Sequence, residues 1–268
     1  MRSSKWFLAA IFSVFFVAQA HAQVMIEQGK VVIRANPGET IVNTLPIHNN
    51  SDKGSITLRA YWEDFMYVAP FNGEKEFSPA GTTDTSASRW VNFSPQQFTL
   101  DAKGSKLINY SIQVPQDAKG GYYGVLFFEE GGGNAQGRVG MSIVTRIGAL
   151  FFIETTNSTK KGLIENLEFQ DKEFKCDFSN LGDVVLIPDT TYYILDKDGL
   201  VAERAEIAKF YLAPGKKTPV KFTAGAKLAA GDYTAILTFD FGGGENYTYE
   251  FDFNKAADGS VKITKVAS

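Results

Sequence analysis

Residues 137–154 read GRVGMSIVTRIGALFFIE, and their alternation decides the fold class. Val139, Met141, Ile143, Thr145, Ile147, Ala149, Phe151 and Ile153 fall on one side of an extended chain. Gly140, Ser142, Val144, Arg146, Gly148, Leu150, Phe152 and Glu154 fall on the other. Alternation of period two over this length specifies a β-strand. The first face is apolar almost throughout and belongs on a core. The second is small and polar at its start and apolar only towards its end. Two readings follow: the closing strand of a β-sandwich domain, or an edge on which another chain's strand pairs. Under the second, Met141, Ile143 and Ile147 form the partner-binding row.

The rest of the chain has the same texture. Upstream, short alternating runs are cut by turn signals such as Asn36-Pro37-Gly38 and the polar residues 49–54. Residues 55–68 form a long strand rich in β-branched and aromatic side chains. Residues 69–88 are polar and rich in Pro, Gly, Ser and Thr, and read as an extended loop. Residues 155–162, TTNSTKKG, read as a linker. Beyond it the rhythm repeats, with strands expected over 163–169, 174–178, 189–195, 200–212, 219–223, 233–241 and 247–253. No helical period reaches three turns. The chain is expected to be all-β.

An internal repeat divides it in two. Gly120, Tyr122, Leu126 and Phe128 recur as Gly231, Tyr233, Leu237 and Phe239, an offset of 111 residues. Gly104 and Lys106 recur as Gly215 and Lys217 at the same offset. An offset of one domain length means tandem copies of one fold. In each copy the G-x-Y block places a tyrosine at a strand mouth, where its hydroxyl can bond backbone as in the corner of immunoglobulin-like sandwiches. The expected organisation is a signal peptide over 1–22, an N-terminal immunoglobulin-like domain over 23–155 and a C-terminal one over 156–268.

The first 22 residues carry Arg2 and Lys5, an apolar run and an Ala20-His21-Ala22 cleavage site, the pattern of an exported chain. Removing 22 of 268 residues leaves 246. Removing Arg2 and Lys5 from 27 basic residues leaves 25 against 30 acidic. That balance attracts neither nucleic acid nor an anionic membrane surface, and no later run is long enough to span a bilayer. Cys176 is the one cysteine, so no internal disulfide is expected. It reads as a buried small hydrophobe, opposite Phe174 and Phe178 or beside them in a bend.

Catalytic and metal chemistry lack their residues. His21 leaves with the signal peptide, and His48 alone cannot build a multi-histidine zinc site. No G-x-S-x-G elbow is present, and the glycine runs at 131–133 and 242–244 lead into neither a helix nor a Lys-Ser/Thr pair. The chain is expected to be non-enzymatic, with no cofactor and no metal.

Trp90-Val91-Asn92-Phe93-Ser94-Pro95, Phe98-Thr99-Leu100, Val114-Pro115 and Gly121-Tyr122-Tyr123-Gly124 together resemble the first domain of two related groups. These are the periplasmic pilus-assembly chaperones and the extracytoplasmic chaperone-like proteins of cell-surface complexes that bind peptidoglycan. The resemblance implies an immunoglobulin-like domain followed by a second β-sandwich. It also implies that the last strand of the first domain is lent to a client subunit by strand addition, with Met141, Ile143 and Ile147 as donor residues. Two basic residues in the cleft between domains would hold the client's C-terminal carboxylate. Arg146 stands where the strand-borne one would stand. The other should fall at Ile33, with Arg34 beside it on the opposite face.

The function so implied is an exported, periplasmic or extracellular, chaperone-like binding protein. Its partner is another exported protein, a pilin-like subunit or an envelope protein. The alternative is an envelope or cell-surface binding or adhesion module acting through its loops, chiefly residues 69–88.

Overall fold

The structure, a computed structural model, describes residues 23–52, 54–131, 145–223 and 228–266. They are all-β: eighteen strands in four sheets. The first ten are β1 (Val24–Ile26), β2 (Lys30–Ala35), β3 (Thr40–Asn49), β4 (Ile56–Tyr67), β5 (Lys75–Pro79), β6 (Val91–Ser94), β7 (Gln97–Leu100), β8 (Ser105–Gln113), β9 (Gly121–Glu130) and β10 (Arg146–Thr155). One sheet has the order β1-β3-β8-β6; the other runs β2-β10-β9-β4-β5, with β7 also on β4. Between them lie Leu45, Ile47, Ile108, Ile112, Phe128 and Phe151, all fully buried.

The remaining strands are β11 (Gly162–Gln170), β12 (Glu173–Asn180), β13 (Asp189–Leu195), β14 (Val201–Ile207), β15 (Lys217–Phe222), β16 (Gly231–Asp240), β17 (Asn246–Lys255) and β18 (Val261–Val266). They form a three-stranded sheet, β11-β12-β15, over a five-stranded one, β14-β13-β16-β17-β18. Its core is aromatic: Phe174 lies 4.9–5.2 Å from the rings of Phe169, Phe222, Phe251 and Phe253. The two units are tandem immunoglobulin-like β-sandwiches.

The first strand switches sheets. β1 pairs with β3, antiparallel, on one side of the sandwich. His48 Nε2 and Glu27 Oε1, 2.7 Å apart, pin the chain just beyond it. The chain then crosses, and β2 pairs with β10, parallel, from Leu150 opposite Lys30 to Thr155 opposite Ala35.

Several local expectations are corrected. Phe174, Cys176 and Phe178 all face inward from β12, so Cys176 shares its face with both aromatics. The expected strand over 200–212 stops at Ile207. Residues 69–88 are not a free loop: β5 lies within them, paired with β4. Beyond β5, the buried Asp64 carboxylate accepts hydrogen bonds from the backbone N–H of Thr82 and Thr83, at 2.9 and 3.0 Å, and from Ser86 Oγ at 2.7 Å.

The second sandwich is fastened to the outer face of the β2-β10-β9-β4-β5 sheet. Phe65, Tyr67, Tyr123, Val125, Phe127 and Phe152 form a third apolar cluster there, with Val185, Ile187 and Tyr211 from the second unit packed on it. Tyr211 N–H donates to Phe71 O at 2.8 Å, and the Tyr67 and Tyr211 rings lie 4.8 Å apart. Gly121 N–H donates to Asp183 O at 2.9 Å. Gly120 has φ +91°, and a Cβ there would stand 2.6 Å from Asp183 O, so the close approach requires glycine.

The two tyrosine blocks diverge. Tyr233 makes the expected corner, its hydroxyl donating to Ala229 O at 3.1 Å. Tyr122 instead lays its ring against Trp90, centroids 3.9 Å apart. The hydroxyl that bonds backbone is that of its neighbour Tyr123, which accepts from Val185 N–H at 2.6 Å across the domain junction.

Tyr123→Phe is therefore expected to cost about 1 kcal/mol and lower the melting temperature by about 2–4 °C for a chain of this size. Tyr122→Phe should leave a circular-dichroism melt unchanged. Burial, with Asp177 adding to it, pushes the Cys176 thiol up to about 12. The native protein at pH 8 should therefore resist iodoacetamide, and denaturant should release one reactive thiol by mass spectrometry.

Candidate functional site: the open edge of β10 and the interdomain cleft

β10 is covered on one side by β9 along its whole length, from Arg146 opposite Glu129 to Glu154 opposite Gly121. On its other side β2 begins only at Leu150. Leu150 N–H donates to Gly29 O at 3.0 Å, so even-numbered residues turn their backbone N–H and C=O towards the β2 side. Thr145 C=O, by contrast, accepts from Glu130 N–H on the β9 side. The backbone groups of Arg146 and Gly148 thus face an edge where no strand pairs among the described residues.

Beside this half-edge the two sheets stand apart. A groove of 720 Å³ opens between β1, the edge of the first sheet, and the start of β10. Its apolar wall is Val24, Ile26 and Ile147, all packed against the first core. Its rim holds Asp52 and Lys103, bonded to each other at 2.9 Å.

Of the partner-binding residues read from sequence, Met141 and Ile143 lie outside the described residues. Ile147 faces inward and is half-buried. Arg146 faces outward, its guanidinium 4.2 Å from the Phe127 ring centroid and 5.5 Å from that of Phe77. It also donates to both Glu63 carboxylate oxygens at 3.3 Å. A Cβ on Gly148 would stand 2.6 Å from Val125 Cγ2 and 2.8 Å from the Phe127 ring, so the bare glycine lets these side chains fold over the strand.

The interdomain cleft is elsewhere. It has a volume of 260 Å³ and is lined by Lys30, Val32, Phe152, Glu154 and Lys160 with residues 185–187 and 241–243 of the second sandwich. Six residues of strand, roughly 20 Å, separate Arg146 from Phe152, the first residue of β10 that lines the cleft. Arg146 is therefore not a cleft residue, which corrects the position that the resemblance implies for it. Ile33 is also displaced: it packs on the first core, while Lys30, Val32 and Arg34 occupy the opposite, cleft-side face of β2.

The cations of the cleft are Lys30 and Lys160. Lys160 is committed, donating to Phe241 O at 2.9 Å and lying 3.8 Å from Glu154 and 3.7 Å from Glu245. Lys30 has no ion-pair partner among the described residues. Its ammonium sits 4.5 Å over the Phe152 ring, and desolvation lowers its pKa, partly opposed by Glu154. Sequence reasoning passed over Lys30, although its i, i+4 spacing with Arg34 on one strand face was available as a signal.

Among the described residues no helix is long and apolar enough to cross a membrane, and no cluster of three or more His, Cys, Asp or Glu could hold a metal ion.

No protein-family model matches the chain, and no curated protein matches it. Solved structures do. A chain of a chaperone–tip adhesin complex of CFA/I fimbriae biogenesis superposes with a TM-score of 0.51 at 15% identity, covering 92% of this chain and 100% of that one. The class 5 fimbriae chaperone CfaA gives a TM-score of 0.51 at 14% identity, covering 91% of this chain and 100% of the other. Identity this low speaks for fold alone. The chain has the two-domain immunoglobulin-like fold of fimbrial periplasmic chaperones.

Proposed function

We propose that this is an exported, non-enzymatic, chaperone-like protein that captures an extended segment of another exported protein, a pilin-like subunit or an envelope protein, by β-strand addition. The observation that carries this reading is the half-open edge of β10: Arg146 and Gly148 present backbone donors and acceptors on a side that β2 covers only from Leu150 onward. Unpaired backbone of this kind is the template for strand addition. Met141, Ile143 and Ile147 supply the apolar row of the donor strand, and Arg146 flanks it. A segment running parallel to β10 stops where β2 begins. Its C-terminal carboxylate then meets Lys30, the cleft cation that makes no ion pair among the described residues, rather than Arg146. The loop-borne adhesion alternative loses support, because residues 69–88 are tied down by β5, Asp64 and the contact with Tyr211.

The test is Ile143→Asp in the full exported chain. If the row is a binding edge, the variant should melt as the wild type does and lose co-purification of its envelope partner. If the row is core, an unpaired carboxylate is buried at a cost of several kcal/mol, and a collapsed first domain would sink the proposal. Lys30→Glu should weaken capture about tenfold or more with no loss of fold, since it sets a carboxylate against a carboxylate.

A further inference from the structure

We infer that Asn72 is a modification site: it cyclises onto Gly73, deamidates to aspartate and isoaspartate, and in the isoaspartate form loosens the clasp between the two sandwiches. Asn72-Gly73 is the one Asn-Gly pair of the chain and lies in the turn between β4 and β5. A glycine after asparagine leaves its backbone nitrogen free to reach the side-chain carbonyl, because no Cβ crowds the approach.

The fold presents both reactants. Asn72 is exposed, and its Oδ1 accepts from Glu74 N–H at 3.3 Å. This Asx turn folds the side-chain carbonyl back over the Gly73 peptide, and the Glu74 N–H faces the oxygen on which negative charge develops. Neither Gly73 N–H nor Asn72 Nδ2 makes a hydrogen bond among the described residues. Lys75 Nζ donates to Gly73 O at 2.9 Å and sets a positive charge beside the nitrogen that must give up its proton. The step balances without oxidant or reductant. The bond from Gly73 N to Asn72 Cγ forms, the Cγ–Nδ2 bond breaks, and ammonia leaves. Water then opens the imide. Attack at Cγ gives aspartate; attack at the main-chain carbonyl carbon gives isoaspartate, whose chain runs through Cβ and Cγ.

The extra main-chain carbon falls on the domain junction. Phe71 O accepts Tyr211 N–H at 2.8 Å, and Phe71 packs on both the junction cluster and the second core. The Tyr211 ring closes over Gly73, which has φ +107° and where a Cβ would stand 3.0 Å from that ring. A chain one atom longer between Phe71 and Gly73 cannot keep both the hydrogen bond and the ring contact in register.

The experiment ages the full mature chain, as wild type and as Asn72→Gln, in mildly alkaline buffer. Mass-spectrometric peptide mapping reports residue 72, and hydrogen exchange reports the Tyr211 amide. Glutamine must close a larger ring, so the variant should keep its amide while Asn72 converts to a mixture rich in isoaspartate. In the deamidated fraction, isolated by ion exchange, the Tyr211 amide should exchange about fivefold or more faster. Leu212, which donates to Leu186 O within the second sandwich, should be unchanged. Asn72→Asp adds the charge without the backbone atom, and its Tyr211 amide should exchange as in the wild type. If Asn72 keeps its amide in the folded chain but loses it in the urea-unfolded chain, the fold protects it and the site is overturned. If isoaspartate forms and Tyr211 exchange stays the same, or Leu212 speeds up equally, or Asn72→Asp matches the deamidated fraction, the loosening of the clasp by isoaspartate is overturned.

Discussion

Everything distinctive in this molecule depends on the parallel pairing of β2 with the far half of β10. The strands are separated by more than a hundred residues, so their contact closes the first sandwich only after the whole domain has been laid down. Because the pairing begins at Leu150, it divides β10 into a covered half and a bare half. Because β2 must leave β1 on the other sheet to reach β10, it leaves a gap between the sheets at the bare half. And because the cleft-side face of β2 carries Lys30 and Arg34, it brings positive charge to the junction with the second sandwich. One strand crossing sets the edge, the groove and the cleft together.

The outer face of the β2-β10-β9-β4-β5 sheet explains how the two sandwiches are joined. A sheet face turned to solvent would ordinarily be polar. Here Phe65, Tyr67, Tyr123, Val125, Phe127 and Phe152 line it and are buried. The second sandwich covers one end with Val185, Ile187 and Tyr211. Long cationic side chains lie over the rest: Arg146 on Phe127 and Phe77, Lys75 5.1 Å over Tyr67, Lys30 over Phe152. Their stems and cationic heads together cover apolar ring surface.

Much of the fold was legible because it is written in local pattern. The alternation through Ile147, Ala149, Phe151 and Ile153 gave the core face of β10 correctly. The 111-residue repeat gave the tandem arrangement, since both copies must fill the same kind of interior. What escaped was whatever depends on a surface supplied from far away in the chain. Leu150 and Phe152 look like stray apolar residues on an outer face until the second sandwich is placed beside them. β5 hides in a sequence, Lys-Glu-Phe-Ser-Pro, whose strand character comes from pairing with β4 rather than from its own composition. The repeat pointed to Tyr122, and only the position of Val185 shows that Tyr123 is the one whose hydroxyl meets backbone. The cleft was misplaced because alignment to a resemblance fixes position along a strand but not which face carries the charge: Ile33 and Arg34 differ by one residue and by the whole thickness of the sheet.

The connection between the sandwiches carries a further consequence. It looks like a tether in sequence, yet hardly any of it is loose. Thr155 Oγ1 accepts from Gly120 N–H at 2.9 Å, and Thr156 N–H donates to Ala35 O at 2.9 Å. Thr159 N–H donates to the Asp183 carboxylate at 2.6 Å, and Leu181 N–H donates to Lys161 O at 2.8 Å. The mutual orientation of the domains is thus fixed when the chain folds, and its entropic cost falls on folding rather than on each encounter with a partner. A tether of the same length left free would let the cleft open and shut between encounters, and a ligand spanning both domains would have to halt that motion each time it bound. Here the angle is already set, and the free energy of contact can go into holding the ligand.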